Sequence, residues 1–287
     1  MSDGQYLRPD QYLRPERLED AVAALRDGAW TLLAGGTDHY PARVTAQRPE
    51  DILDITGLAG LRGIAEAGDH FRIGALTRWS DIAEGDLPSC FDGLRRAARE
   101  VGGMQIQNRA TLAGNLCNAS PAADGVPPLL TLDASIELAS AACVRSLPLG
   151  EFILGNRKTA RRPDELMTAI LVPKPAYPAR SAFLKLGARK YLVISITMVA
   201  GLLEVKDGRV AAARIAVGAC SAVAQRLPAL EAALVGQTAG PGLAGLAAEE
   251  HLAGLAPIDD IRADAGYRQD AALVLVKRCL AELGSTV

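Results

Sequence analysis

Two short stretches of this 287-residue sequence concentrate the groups that hold phosphorylated ligands. The first is Ala34-Gly35-Gly36-Thr37-Asp38. Glycine lets the backbone come close to a ligand and aim successive N–H groups at an anion, and Thr37 adds a hydroxyl, so the segment suits a diphosphate. Taken alone, a strand followed by Gly-Gly is also the pattern of a simple turn. The second stretch runs from Gln107 to Asp124 and is dense in small and polar residues within an otherwise apolar chain. Thr111, Asn115 and Asn118 offer donors, Gly114 permits close approach and Asp124 accepts from sugar hydroxyls, which together suits the diphosphate and polyol of a nucleotide. Neither stretch is a Walker loop, because no Gly-Lys-Ser/Thr follows, and neither is the G-x-G-x-x-G that opens a dinucleotide-binding helix.

Other reactive residue types are scattered. Cys90, Cys117, Cys143, Cys220 and Cys279 form no C-x-x-C pair, which argues against a disulfide framework and against a metal or iron-sulfur site in this chain. His39, His70 and His251 lie far apart and give no support to a zinc or iron centre. His39 follows the first glycine pair and is read as a hydrogen-bonding or exposed residue rather than a covalent attachment point. Cys117 is read as a small packing residue. Arg189-Lys190-Tyr191 reads either as a wall beside a bound ring or as a solvated turn. No pair of carboxylates is spaced to compel acid/base chemistry.

The elements that position these loops follow from periodicity. Leu18, Ala21, Val22 and Leu25 are spaced for a helix from Pro15 to Arg26, closed by Gly28. Trp30–Ala34 reads as a buried strand that delivers the first glycine turn. Further strands are expected at 51–55 and 71–73, and helices at 79–82 and 91–100. Then comes a loop-rich stretch to Asp124, a helix at 127–132 and paired strands at 135–139 and 144–147. Pro173, Pro175 and Pro178 mark a linker, dividing the chain into domains 1–176 and 177–287. Beyond it, Asp207-Gly208 joins two antiparallel strands, 195–204 and 209–218, and helices are expected at 228–235, 242–252 and 268–283. The echo of Gln5-Tyr6-Leu7-Arg8-Pro9 in Gln11-Tyr12-Leu13-Arg14-Pro15 is too short to define a repeat architecture.

Composition sets the class. With 49% hydrophobic and 22% charged residues and a net charge of -2, the chain can bury a sizeable core and has no basic footprint for nucleic acid. The amino terminus lacks a secretory pattern and no apolar run reaches ~18 residues, so a cytoplasmic location is expected.

Three motifs in order carry a family resemblance: Ala34–Asp38, Ile73-Gly74-Ala75-Leu76-Thr77, and Asn108–Asp124 with its Ala-Ser-Pro-Ala-Ala-Asp ending. The chain resembles the FAD-binding subunits of molybdenum hydroxylases of the xanthine dehydrogenase and carbon monoxide dehydrogenase type. Pro163–Leu166 and Phe183-Leu184-Lys185 resemble later blocks of that family. The resemblance implies an α+β fold. A two-lobed FAD-binding domain of the PCMH or vanillyl-alcohol-oxidase type is followed by a small domain of antiparallel sheet plus helices. It implies non-covalent FAD held by Ala34, Gly35, Gly36, Thr37 and Asp38 and by Thr111, Leu112, Ala113, Gly114 and Asn115. Val101 and Asp124 would lie at the cofactor, and Met167 and Lys185 along the flavin ring.

It also implies a molybdenum-cofactor subunit and a [2Fe-2S] subunit as partners, in a heterotrimer or a dimer of heterotrimers, with this chain passing electrons from the clusters to an external acceptor. Ala110 and Ala113 stand where the family commonly has glycine, a departure that a negative φ at Ala113 accommodates. The branch that reduces hydroxybenzoyl-CoA carries an inserted cluster-binding segment, which the cysteine pattern here does not match. A self-sufficient FAD-dependent oxidoreductase and a non-catalytic flavin-holding assembly protein remain as rival readings.

Overall fold

A computed structural model describes residues 11–43 and 50–285. The first copy of the Gln-Tyr-Leu-Arg-Pro echo and the amino-terminal residues used above lie outside the described residues. The chain first forms a small parallel sheet of β1 (Tyr12–Leu13), β2 (Thr31–Leu33) and β3 (Ile52–Asp54), in the order β1-β3-β2. Helix α1 (Leu18–Asp27) crosses between its first two strands. Glu19 and Asp20 sit in the first turn, where carboxylates complement the free amides, and Ala21, Val22 and Leu25 face the sheet. Here they pack on Leu53 and Leu166.

The second sheet is antiparallel throughout, with β4 (Ile64–Ala67), β5 (His70–Gly74), β6 (Ser135–Ala139), β7 (Val144–Pro148) and β10 (Leu166–Pro173) in the order β4-β5-β10-β6-β7. Between β7 and β10 the chain makes α7 (Leu149–Phe152) and a short hairpin of β8 (Ile153–Gly155) and β9 (Lys158–Thr159). The central strand β10 was not anticipated. Its apolar residues run continuously because both faces are covered, so the alternation that announces a half-exposed strand is missing. Helices α2 (Trp79–Ala83), α3 (Asp92–Glu100), α5 (Leu112–Asn118) and α6 (Val126–Thr131) share one core with this sheet, around Trp79, Leu94, Leu112, Leu129 and Ile136. The stretch expected to be loop-rich therefore holds α5, preceded by the one-turn helix α4 (Met104–Gln107).

The third sheet follows at once, with β11 (Ala179–Leu186) starting inside the expected linker. Strands β12 (Thr197–Lys206) and β13 (Arg209–Gly218) form the expected hairpin, turning on Asp207 and Gly208 with φ of 51° and 71°. Both values suit the right-handed twist of the flanking strands. A short β14 (Gln225–Arg226) completes the order β11-β12-β13-β14. Helices α8 (Pro228–Leu234) and α9 (Ala265–Ser285) cover one face.

The helix expected at 242–252 is instead two 3-10 segments, Pro241–Leu246 and Glu249–Leu252. Gly242 and Gly245 each cost a helix interior about 1 kcal/mol relative to alanine. Among the described residues no helix is long and apolar enough to cross a membrane.

Candidate functional site

Strand β2 ends at Leu33 and hands the chain to the first glycine turn. Gly36 has φ +72°, a conformation that side chains rarely adopt. Gly35 is required for a different reason. A Cβ there would lie 2.1 Å from the carbonyl oxygen of Arg109 and 2.9 Å from Cα of Ala110. The two polar stretches are thus pressed together backbone to backbone. The amides of Gly35, Gly36, Thr37 and Asp38 make no hydrogen bond among the described residues, so this turn presents a run of unengaged donors.

The second stretch is built differently. Thr111 precedes α5 and its Oγ1 accepts from the Gly114 amide at 3.0 Å, a side-chain cap. The Leu112 amide donates to Thr77 O at 3.0 Å and the Asn115 amide to Thr111 O at 3.1 Å. Asn115 Oδ1 accepts from the Gly125 amide at 3.2 Å. Most polar groups expected to face a ligand thus fix the shape of their own segment. Gly114 remains exposed, and a Cβ there would meet only Thr111 Oγ1, at 2.8 Å. Ala113 is helical, without the positive φ that would have demanded glycine.

Between the two stretches runs a cleft of about 600 Å³. Of the residues singled out from the sequence, Ala34, Gly35, Gly36, Thr37, Asp38, Val101, Thr111, Ala113, Gly114, Asn115 and Met167 line it. Leu112 is fully buried in the core and supplies no wall. Asp124 and Lys185 are outside the lining and face each other, with Lys185 Nζ 2.9 Å from Asp124 Oδ2 and Ser195 Oγ 3.2 Å from Oδ1. Burial pushes the Asp124 carboxyl up, against the pull of the Lys185 charge, and Glu100 next to Val101 acts on it in the same direction as burial.

Sequence reading missed Trp30, Ile106, Cys117 and Arg161 as cleft lining, whereas Asn118, which it named as a donor, does line the cleft. Cys117, read from the sequence as a packing residue, lies on the cleft. It is an exposed residue near the end of α5, and the protein packed around its thiol pushes that group up to about 11. At the mouth, Arg157 Nη1 donates to Asp38 Oδ2 at 2.7 Å and also to Asn118 Oδ1, bridging the two stretches from the β8–β9 turn.

His39 is not exposed: its Nε2 lies 3.3 Å from Glu50 Oε1, and burial holds its pKa below the ordinary value. Arg43 pairs with the same carboxylate and holds it below the usual range, helped by the hydroxyl of Thr31. Tyr191 lies elsewhere. With Arg95, Arg99, Gly103 and Met104 it borders a larger concavity of about 820 Å³ on the other side of segment 101–107. That groove is bordered by neither glycine stretch, whereas the smaller cleft is lined by both.

The lining combines an anion-binding middle with apolar walls from Trp30, Leu33, Ile55, Val101, Ile106 and Met167. Such an arrangement fits a dinucleotide whose two ring systems flank a diphosphate.

Comparison with known proteins gives the same picture. Residues 7–175 match the family described as the FAD binding domain in molybdopterin dehydrogenase, and residues 182–283 match the CO dehydrogenase flavoprotein C-terminal domain. The putative xanthine dehydrogenase FAD-binding subunit of Escherichia coli is 32% identical over 283 residues, with 94% of each chain covered. Among solved structures, carbon monoxide dehydrogenase from Hydrogenophaga pseudoflava lacking the Mo-pyranopterin moiety superposes with a TM-score of 0.86 at 30% identity, covering 96% of this chain and 97% of the other. Quinoline 2-oxidoreductase from Pseudomonas putida 86 superposes with a TM-score of 0.87 at 26% identity, covering 96% of each chain.

Proposed function

Since this chain belongs to the family of FAD-binding subunits of molybdopterin dehydrogenases, we propose that the cleft between residues 34–39 and 110–118 holds its FAD. The chain is the electron-transfer subunit of a molybdenum-dependent hydroxylase. The observation that carries the cleft assignment is the run of unengaged amides at Gly35–Asp38 packed directly against residues 109–110. FAD accepts electrons in pairs and releases them singly, which suits a station between one-electron clusters and an external acceptor.

The protein's part is placement. Gly35–Asp38 bind the diphosphate, Gly114 leaves room beside it, and Arg157 holds the two stretches at a fixed separation. Val101 and Ile106 form an apolar wall at one end, where the Asp124–Lys185 pair would meet the flavin ring, and Met167 flanks the cleft beside Leu166. Residues 1–176 constitute the binding unit and 177–287 the unit that covers it, a division supported by the separate core under β11–β14.

The five cysteines do not come together, and among the described residues no group of three or more His, Cys, Asp and Glu side chains could hold a metal. Electrons reach this chain from a [2Fe-2S] partner, with the molybdenum-cofactor subunit beyond it. The assembly is a heterotrimer or a dimer of heterotrimers. We place it in the cytoplasm, where exposed thiols such as Cys117 and Cys143 stay reduced.

Two measurements test this reading. Maleimide labelling followed site by site should modify both Cys117 and Cys143 in the FAD-free chain. Saturating FAD should slow Cys117 by at least roughly tenfold and leave Cys143 unchanged; equal rates at Cys117 with and without FAD would refute the cleft assignment. In the assembled complex, acid precipitation should leave the yellow colour in the supernatant. Rapid mixing of the FAD-depleted complex with substrate should then show a reducible molybdenum centre and no transfer to the acceptor. Normal transfer without FAD would remove this chain from the electron path.

A further inference from the structure

Resting on the assignment of the cleft to FAD, we propose that Arg161 is the cation that neutralises the cofactor's diphosphate. The charged or titratable side chains lining the cleft, cysteine aside, are Asp38, His39, Arg43 and Arg161. Asp38 is balanced by Arg157, and His39 and Arg43 both face Glu50. Arg161 has no such partner among the described residues. Of the two carboxylates that follow it in the chain, Asp164 makes no ion pair among the described residues and Glu165 spends both carboxylate oxygens on Arg145. The cleft therefore carries one uncompensated positive charge, and it is on this residue.

A diphosphate brings two negative charges into a site with apolar walls. Neutral amide donors at Gly35–Asp38 orient it, but taking that charge out of water is costly unless a cation meets it. Neither glycine stretch offers a lysine, and Arg109, the arginine nearest the contact, is exposed and outside the lining.

Arg161 is also held ready. Its Nη1 donates to the carbonyl oxygens of Arg162 at 2.9 Å and Glu165 at 2.8 Å, which fixes one edge of the planar guanidinium. Its charge is felt at the Cys117 thiol on the α5 side of the cleft. A pre-oriented arginine fork matches phosphate oxygens and loses little freedom on binding. Its neighbour Arg162 is exposed and outside the lining, so of the two adjacent arginines the fold turns only the first toward the ligand.

The test is titration of the FAD-free full chain and its variants with FAD, ADP and riboflavin at low and physiological salt. A lost charged hydrogen bond predicts a roughly 10- to 100-fold rise in Kd for FAD and for ADP in Arg161→Ala. Riboflavin binding should be unchanged, because riboflavin carries no phosphate. Arg161→Lys should recover much of the loss, and the salt dependence of FAD binding should weaken in Arg161→Ala, since one screened charge is gone. A Kd for FAD within about twofold of wild type would overturn the proposal.

So would a parallel fall in riboflavin affinity, which would mean that Arg161 only shapes the 162–165 turn. If the unmodified chain itself failed to bind FAD, the cleft assignment would fall first. If it bound FAD and Arg161→Ala did so equally well, only the role of Arg161 would be lost.

Discussion

Gly35→Val abolishes FAD retention and also lowers the stability of the chain, whereas Gly114→Val abolishes FAD retention alone: that is the outcome expected from the geometry of the two glycines. At position 35 the first side-chain atom would already be 2.1 Å from a backbone oxygen and 2.7 Å from its carbon. Backbone cannot swing aside as a side-chain terminus can, so the two stretches must part and the cleft loses its shape. Overpacking of this kind costs roughly 1–3 kcal/mol, which urea denaturation will read. At position 114 the only close atom is the Thr111 hydroxyl. The stability at risk there is that of one helix cap, about 1 kcal/mol.

In the proposed site the valine at 114 would nevertheless project into the space assigned to the diphosphate. Flavin absorbance of the purified variants and fluorescence titration of the FAD-free chains check both halves. Both variants should show at least a roughly hundredfold weaker FAD affinity, equivalent to about 2.7 kcal/mol. Unchanged affinity in Gly114→Val would mean that the ligand does not pass over α5.

The second large effect is expected at Asp124. Its carboxylate and Lys185 are both buried, 2.9 Å apart, and join the turn before α6 to strand β11. Asp124→Leu strands the ammonium of Lys185 in the protein interior beside the hydroxyl of Ser195. Breaking one side of a buried pair costs about 3–5 kcal/mol, while replacing both sides with apolar groups of similar size is often neutral.

The single variant should therefore unfold at much lower urea, and Asp124→Leu with Lys185→Met should regain most of the loss. A double-mutant cycle isolates the coupling. If the single change costs under about 1 kcal/mol, the pair is not shielded from water as described. On the proposed FAD assignment the same variants also test whether this pair meets the flavin ring. Loss of either charge should shift the reduction midpoint of bound FAD, and the double variant should not restore it even where stability returns.

Much of this could be read along the chain because it is local. The turn at Asp207-Gly208 is dictated by two residues that accept positive φ, and the hairpin around it follows. Helix α1 follows from Leu18, Ala21, Val22 and Leu25 on one face. The two polar stretches stood out because small and hydroxyl residues in an apolar chain need a reason. The motifs within them led to the right family and cofactor. Where reading failed, the deciding contact was distant. Strand β10 lies at the centre of its sheet, so its eight residues show no alternation to mark it. The segment after Thr111 looked irregular because Gly114, Asn115 and Asn118 are poor helix formers, but the Thr111 cap and the burial of Leu112 and Leu116 in the core outweigh that preference.

The sequence alone determined the kinds of groups the ligand would meet and the order in which the chain presents them, since residue type fixes donors, acceptors and permitted φ. Only the tertiary structure decided their division of labour. Gly35 serves the contact with residue 109, not merely an approach to phosphate. The second stretch spends most of its donors on itself, while the first leaves its amides unengaged. Asp124 in the turn before α6 and Lys185 on β11 find each other, and of the adjacent Arg161 and Arg162 only one lines the cleft. The Gly35 contact and the Asp124–Lys185 pair follow from packing between segments far apart in sequence, and that separation is not encoded in the spacing of residues along any one element.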